Sequence, residues 1–381
     1  MEAVKTIVCV LGTRPEAIKM APVISQLRNA SWARCVVIAT AQHRGLLDQA
    51  LDPFGITPDL DLDLMVDGQN LADLTGRMVP ALSKSLETLG ADAVLAQGDT
   101  ASVFCASLAA FYDRIPFGHV EAGLRTNDLA EPFPEEGFRQ MVARLTKWHF
   151  APTTGAARNL ELEGVPAANV FVTGNTGIDA LLSVTRNRPK ASGNGMRTIL
   201  LTAHRRESFG APMAGIFAAV RRIVDAYPDI EVIYPVHPNP NVATMASQLL
   251  GGHPRIALVE PMGYVDFTTL MARCFLVLTD SGGIQEEAPA LGKPVLVLRD
   301  RTERPEAIEA GVAKLVGTNG DRVVAEASQL LDDPVLYAAM AVGGSPYGDG
   351  RAAPRIAEIL REHFDTNGNS SPPVSHFAIT K

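Results

Sequence analysis

Residues 275–295 read FLVLTDSGGIQEEAPALGKPV. The apolar start is the pattern of a buried strand, and Thr279, Asp280, Ser281, Gly282 and Gly283 lead from it into a helix that carries Glu286 and Glu287. Strand, glycine turn and helix in this order make an anion site. The glycines let the backbone turn sharply and approach a ligand, and the unpaired N–H groups of the helix start attract phosphate together with the helix dipole. Glu287 lies one turn further in. It would repel a phosphate but can accept hydrogen bonds from two neighbouring hydroxyls, so phosphate donors followed by a carboxylate point to a ribonucleotide.

Outward from this stretch, apolar β-branched runs alternate with amphipathic segments. TIVCVLG, CVVIATA, DAVLAQGD, PFGHVEAG and NVFVTGN fall in the first half; TILLTAH, IEVIYPVH, IALVEP, FLVLTD, PVLVLRD and AKLVG in the second. Such alternation predicts parallel sheets covered by helices on both faces. The fold class expected is α/β, with two Rossmann-like domains facing an interdomain cleft. Residues 1–186 form the first domain, NRPKASGNGMR at 187–197 has linker composition, and 198–364 form the second, whose last helix is free to pack back on the first. Residues 365–381 lack periodicity and read as a tail.

Composition excludes several classes of function. The chain has 381 residues, 46% hydrophobic and 20% charged, with a net charge of −8. Scattered basic residues on an acidic chain argue against nucleic acid, and no run approaches the roughly 18 apolar residues of a membrane span. MEAVKTIVCVLG lacks the layout of a signal peptide, so a cytoplasmic location is expected. Cys9, Cys35, Cys105 and Cys274 sit apart within apolar stretches, as reduced core cysteines do, and no structural metal is expected. No Walker string, GxGxxG after the first strand or GxSxG elbow is present.

Polar residues recur where strands end, the edge at which open α/β sheets bind ligands. In GTRPEAIKMAPV, Arg14 precedes Pro15 at a helix start and Lys19 follows about a turn later, two cations suited to a pyrophosphate. Asp99 in QGDT, Glu121 in HVEAGLRT and the pair Glu135 and Glu136 in PFPEEGFRQM are candidate acids and bases, although Asp99 could equally cap a helix. AHRRESFG brings His204 with Arg205 and Arg206 to a strand end, and His237 lies between prolines in YPVHPNPN, in a ligand or a turn-stabilising role. The RPEAI string of the first domain recurs with Arg304 before Pro305.

These motifs, with TAQHR, VTGNTGIDAL, TERPEA and SPYGDG, resemble those of the non-hydrolysing UDP-N-acetylglucosamine 2-epimerases from about Thr6 to Arg361. The resemblance implies a glycosyltransferase-B type fold, a homodimer, a place in supplying cell-surface polysaccharide precursors, and inversion at carbon 2 of the sugar without NAD or metal. It further implies loss of UDP to give 2-acetamidoglucal, followed by protonation and return of UDP. Asp99, Glu121, Glu135 and His204 match its catalytic positions. Arg14, Lys19, Phe267, Ser281, Gly282, Gly283, Glu287 and Arg304 match its substrate contacts, Phe267 at the uracil and Glu287 at the ribose. Gln42, Glu136, Arg205 and His237 match a second, activating UDP-N-acetylglucosamine site, whereas Gly45 and Gly68 stand where longer polar side chains can occur. Alternatives on the same motifs are a UDP-sugar glycosyltransferase, a 2-epimerase of a modified UDP-sugar, a hydrolysing epimerase and a sensor without turnover.

Overall fold

The computed structural model describes residues 3–40, 44–66, 68–186, 195–205, 208–342 and 344–365. They form two compact units, one of residues up to Ala180 with those from Tyr347 onward, the other Leu181–Pro346. The boundary falls within helix Thr176–Thr185, and the last helix, Ala352–Asp365, belongs to the first unit. Most of the expected linker at 187–197, and the tail beyond Asp365, lie outside the described residues.

The first unit holds strands β1 (Lys5–Leu11), β2 (Ala33–Ala39), β3 (Leu60–Asp61), β4 (Ala93–Gln97), β5 (Phe117–Val120), β6 (Trp148–Ala151) and β7 (Val170–Val172). They make one sheet in the order β3-β2-β1-β4-β5-β6-β7, and every pairing is parallel. The second unit holds β8 (Arg197–Thr202), β9 (Ile230–Pro235), β10 (Ile256–Val259), β11 (Leu276–Thr279), β12 (Val295–Val297) and β13 (Ala313–Leu315), ordered β10-β9-β8-β11-β12-β13 and again all parallel. The expected α/β class with two Rossmann-like parallel sheets is therefore what forms.

Helices on both faces explain the uninterrupted apolar runs. Val8, Val10, Val94 and Ala96 pack with Met78, Leu82 and Leu86 of helix Leu71–Leu89 and with Val103, Ala106 and Ala110 of helix Ala101–Tyr112. In the second unit Ile199, Leu201, Leu276 and Leu278 pack with Phe217, Val220 and Val224 of helix Ala211–Ala226. Each fully buried Val, Leu, Ile, Phe or Met side chain among these contributes about 1.5–3 kcal/mol. Near the sheet margin β9 changes to alternation, with Ile230, Val232 and Tyr234 inward, and the buried Tyr234 hydroxyl donates to the Ala203 carbonyl at 2.6 Å. Among the described residues no helix is long and apolar enough to cross a membrane.

Strand order reverses direction between β1 and β4 in one sheet and between β8 and β11 in the other. Connections leave opposite faces at such a switch point, so a crevice opens at the strands' carboxyl ends. At the first, Gly12 leaves β1 against helix Ala101–Tyr112, where Ser102 and Thr40 hydroxyls share a 2.9 Å hydrogen bond. A Cβ on Gly12 would overlap the Ser102 hydroxyl and lie 2.7 Å from its Cβ and 2.9 Å from Thr40 Oγ1. Gly12→Ala should therefore cost about 1–3 kcal/mol in urea unfolding. Gly76→Ala, exposed in helix Leu71–Leu89 with nothing near its Cβ position, should be neutral or stabilise by up to about 1 kcal/mol.

Candidate active site

The first unit gathers its candidates at the carboxyl edge of β1, β4, β5 and β7. Glu121, just past β5, is buried and holds a left-handed backbone, φ +65°, a conformation that costs a non-glycine residue of order 1–3 kcal/mol and clusters at functional sites. Lys19 Nζ donates to both of its carboxylate oxygens at 2.6 Å. The Gln97 side-chain amide donates to Oε2, and Asn175 Nδ2 reaches Oε1 at 3.5 Å. The Glu121 side chain is 4% exposed, a depth at which removing one partner of an ion pair is far more damaging than at the surface.

Asp99 follows Gly98, whose φ of +89° turns the chain out of β4. Arg139 grips Asp99 Oδ2 with Nε at 2.8 Å and a terminal nitrogen at 2.7 Å, and its other terminal nitrogen lies 3.3 Å from Glu136 Oε2. Glu136 is fully buried and also accepts the Thr126 and Asn127 amides at 3.0 and 3.2 Å and Gln140 Nε2 at 3.0 Å. Burial pushes its carboxyl up, but Gln140, these amides and Arg139 outweigh that and leave it below its ordinary value. Glu135, beside it at the start of helix Glu135–Leu145, is half-buried and makes no hydrogen bond or ion pair among the described residues. The two adjacent glutamates thus differ sharply: one braces the 126–127 turn, the other is open to a ligand.

Arg14 and Lys19 also part company. Arg14 is exposed and makes no ion pair among the described residues, whereas the Lys19 ammonium rests on Glu121. Between them Glu16 Oε2 accepts the Gly12 amide at 2.6 Å and the Thr13 amide at 3.1 Å, which sets the helix start. Burial raises its carboxyl to about 7 against the bonds from Thr100, Gly12 and Thr13. His119, two residues before Glu121, donates Nε2–H to the Gly98 carbonyl at 2.6 Å; burial lowers it to about 4, so it is neutral.

In the second unit the switch point joins β8 to β11. Asp280, 1% exposed, accepts the His204 and Arg205 amides at 2.6 and 2.8 Å, and its other oxygen lies 3.2 Å from His204 Nδ1. Burial would raise this carboxyl, but His204 and the two amides hold it below its usual range. The His204 and His237 rings stack with centroids 5.3 Å apart. Burial, then the His204 neighbour, lowers His237 against the pull of Asp280. Asp280 thus holds His204, against which His237 stacks.

Helix Gly282–Ala290 begins beside it, capped by Ser281, whose amide donates to Thr279 Oγ1 at 2.9 Å. A Cβ on Gly283 would meet nothing within 4 Å, and one on Gly282 would meet only the Arg304 guanidinium, at 3.9 Å. Arg304 is held by an ion pair from Nε to the buried Glu286 and by its amide on Thr302 Oγ1 at 3.1 Å; Thr302 in turn donates to the buried Gln285 at 2.6 Å. The helix start therefore offers open N–H groups with a fixed guanidinium beside them, a setting for phosphate. Burial, and then Glu287, raises the Tyr264 phenol well above its ordinary value, which places Tyr264 near Glu287. Phe267 lies three residues further along Tyr264's helix, Tyr264–Arg273, hence on the same face.

Of the four residues expected at a second, activating site, Glu136 accepts the 126–127 amides, Arg205 gives only its backbone amide to Asp280 and has its Nε buried without a hydrogen-bond partner among the described residues, His237 stacks on His204, and Gln42 lies outside the described residues, as does Arg206. Residues that pattern reading passed over are Glu16, Gln97, Arg139, Asp280 as an organiser, and Tyr264. Only Glu16 carries a local signal: Thr13-x-x-Glu16 has the spacing of a capping box. Among the described residues no three His, Cys, Asp or Glu side chains gather into a metal-holding group, and the four cysteines are free.

Two Rossmann-like units in one chain, each with a polar crevice at its switch point, define a glycosyltransferase-B type of fold. The glycotransferase of kitacinnamycin shares this fold at 15% identity, with a TM-score of 0.60 over 94% of this chain. Much nearer relatives narrow the class. Residues 25–361 match the family model described as UDP-N-acetylglucosamine 2-epimerase. The Bacillus subtilis UDP-N-acetylglucosamine 2-epimerase is 49% identical over 94% of this chain and 95% of its own. The Neisseria meningitidis UDP-GlcNAc 2-epimerase, solved bound to UDP-GlcNAc, superposes with a TM-score of 0.83 at 44% identity over 94% of this chain and all of its own. Staphylococcus aureus MnaA, solved with UDP, gives 0.85 at 45% identity over 98% of this chain and all of its own. The chain belongs to the UDP-N-acetylglucosamine 2-epimerase family and is an epimerase, an isomerase by reaction class.

The buried Glu16 carries a pH signature. Its folded value of about 7 exceeds the ordinary 4.5, so the stability it contributes is full below pH 4.5 and is lost as pH rises through 7. The loss is on the order of 3 kcal/mol. Since one oxygen accepts both amides, Glu16→Gln can keep those bonds without the charge. Urea unfolding from pH 5 to 8 should show a falling stability in the native chain and a flatter profile in Glu16→Gln.

Proposed function

We propose that this epimerase interconverts UDP-N-acetylglucosamine and UDP-N-acetylmannosamine by eliminating UDP to 2-acetamidoglucal and adding it back after a proton reaches the opposite face of carbon 2. The observation that carries this reading is the pair of carboxylates at one sheet edge, each with its own cation: Glu121 on Lys19 and Asp99 on Arg139. Glu135, without such a partner among the described residues, stands as a third. Relatives solved with UDP-GlcNAc and with UDP support the nucleotide-sugar half of the reading.

The chemistry accounts for the division of labour. The hydrogen on carbon 2 of the sugar has no neighbouring ketone to acidify it, so its removal must be coupled to departure of UDP from carbon 1. Asp99, Glu121 and Glu135 supply proton transfer, worth roughly 10²–10⁴-fold per group. The Ser281 hydroxyl and the N–H groups at Gly282 and Gly283, with Arg304 and Arg14, stabilise the charge that develops on the departing diphosphate. Glu287 accepts from the ribose hydroxyls and Phe267 lines the uracil. His204, set by Asp280, stands at the phosphates or on the proton path.

Proton NMR with UDP-N-acetylglucosamine in deuterated water tests this. Deuterium at carbon 2 together with a UDP-manno product is expected. Free N-acetylmannosamine with released UDP would indicate the hydrolysing reaction, and absence of both changes would turn attention to a transferase with an acceptor. Asp99→Asn and Glu121→Gln should each lower kcat by about 10²-fold or more with UDP affinity retained, and unaltered turnover would remove that residue from the proton-transfer set.

A further inference from the structure

Two motifs of the sequence, VTGNTGIDAL at 172–181 and SPYGDG at 345–350, find no place in the chemistry above, yet their portions up to Ala180 and from Tyr347 onward meet within the first unit. Past β7, the Asn175 amide donates to the Tyr347 carbonyl at 2.6 Å. Gly174, φ +91°, and Gly348 stand backbone to backbone: a Cβ on the first would lie 3.3 Å from Gly348 Cα, and one on the second 3.3 Å from the Asn175 nitrogen. A side chain at either position would be crowded against the facing backbone.

The contact is locked from both sides. Asp179, buried at 7% exposure, accepts the Ala352 and Ala353 amides at 3.1 and 2.9 Å and so caps the start of helix Ala352–Asp365. Arg355, in the first turn of that helix, binds both Asp349 oxygens at 2.8 and 2.7 Å and donates to the Thr173 carbonyl at 3.1 Å. On the other side of the turn, Asn175 Oδ1 accepts the Gly177 amide at 2.8 Å, which fixes its side chain so that Nδ2 faces Glu121 Oε1. A Cβ on Gly177 would lie 3.6–3.7 Å from Cε and Cγ of Lys19, so the same turn also packs along the cation paired with Glu121.

We infer that residues 347–355, clamped by Asp179, form a strap that positions the Asn175–Gly177 turn and through it the Lys19–Glu121 pair, making Asn175 and Asp179 positioning residues for the reaction. The inference rests on Glu121 acting in proton transfer. Misplacing a reacting group by about 1 Å costs on the order of 10²-fold in rate, so a side chain remote from the substrate can govern turnover.

The test compares Asn175→Asp and Asp179→Ala with Glu121→Gln, measuring kcat, KM for UDP-N-acetylglucosamine and thermal melting of the full chain. Asn175→Asp retains the oxygen that accepts Gly177 but sets a second carboxylate against Glu121. It should lower kcat by about 10²-fold with KM within about twofold. Asp179→Ala should lower kcat by about 10–100-fold with the same constancy of KM. A global loss of folding would lower the melting temperature and the folded fraction together, and for Asn175→Asp a fall in kcat that only matches the lost folded fraction overturns the strap. Should Asp179→Ala fail to fold, Asn175→Asp decides alone. Native kcat in Asn175→Asp beside an inactive Glu121→Gln also overturns the strap, whereas an active Glu121→Gln overturns the underlying role of Glu121.

Discussion

Burial of both faces of each parallel sheet is the constraint on which the rest of this structure depends. Helices cover the strands so fully that β1, β4 and β11 are apolar through their middles and carry polar side chains only toward their ends. Chemistry is thereby forced to the strands' carboxyl ends, and strand order selects where along that edge a crevice opens. Gly12 and Asp99 flank one switch point, and His204 and Asp280 the other. The polar crevices are consequences of the way hydrophobic area is buried.

Charges placed at such an edge are half out of water and need partners. Glu121 has Lys19, Asp99 has Arg139, Asp280 has two amides and a histidine, and Glu286 has Arg304. Each partner also fixes a rotamer, because a carboxylate held by two donors cannot rotate without losing one. The cost of gathering these groups shows in the left-handed backbone of Glu121 and in the neutral His119, which spends its ring on the Gly98 carbonyl. Groups held in this way do not have to reorganise when charge moves beside them.

The long anion motif and the strand rhythm were legible in the sequence because their signals are local. FLVLTDSGG reads as strand, turn and helix from residue types alone, and helix Gly282–Ala290 begins at the expected glycine. Strand β6 escaped that reading. Trp148, His149, Phe150 and Ala151 neither alternate nor carry β-branched residues, and only burial between β5 and β7 makes them a strand. His149, without support as a site residue, is a buried neutral histidine lowered to about 3 by burial, then by His119 and Arg125.

By itself the sequence determined the α/β class, the two Rossmann-like halves and the glycine turn at which helix Gly282–Ala290 begins, all of which follow from periodicity and turn chemistry over a few residues. Tertiary structure alone decided which groups answer one another. Asp99 and Arg139 are 40 residues apart, Lys19 and Glu121 102, and Asp179 and Ala353 174. Equivalent charges stand all along the chain, and nothing local marks one as a partner. Only the order of strands in the sheet and the return of the last helix to its far edge bring these particular pairs within hydrogen-bond reach. For the same reason Glu135 and Glu136, indistinguishable as letters, became different groups: the helix turned one into the core and left the other half-buried.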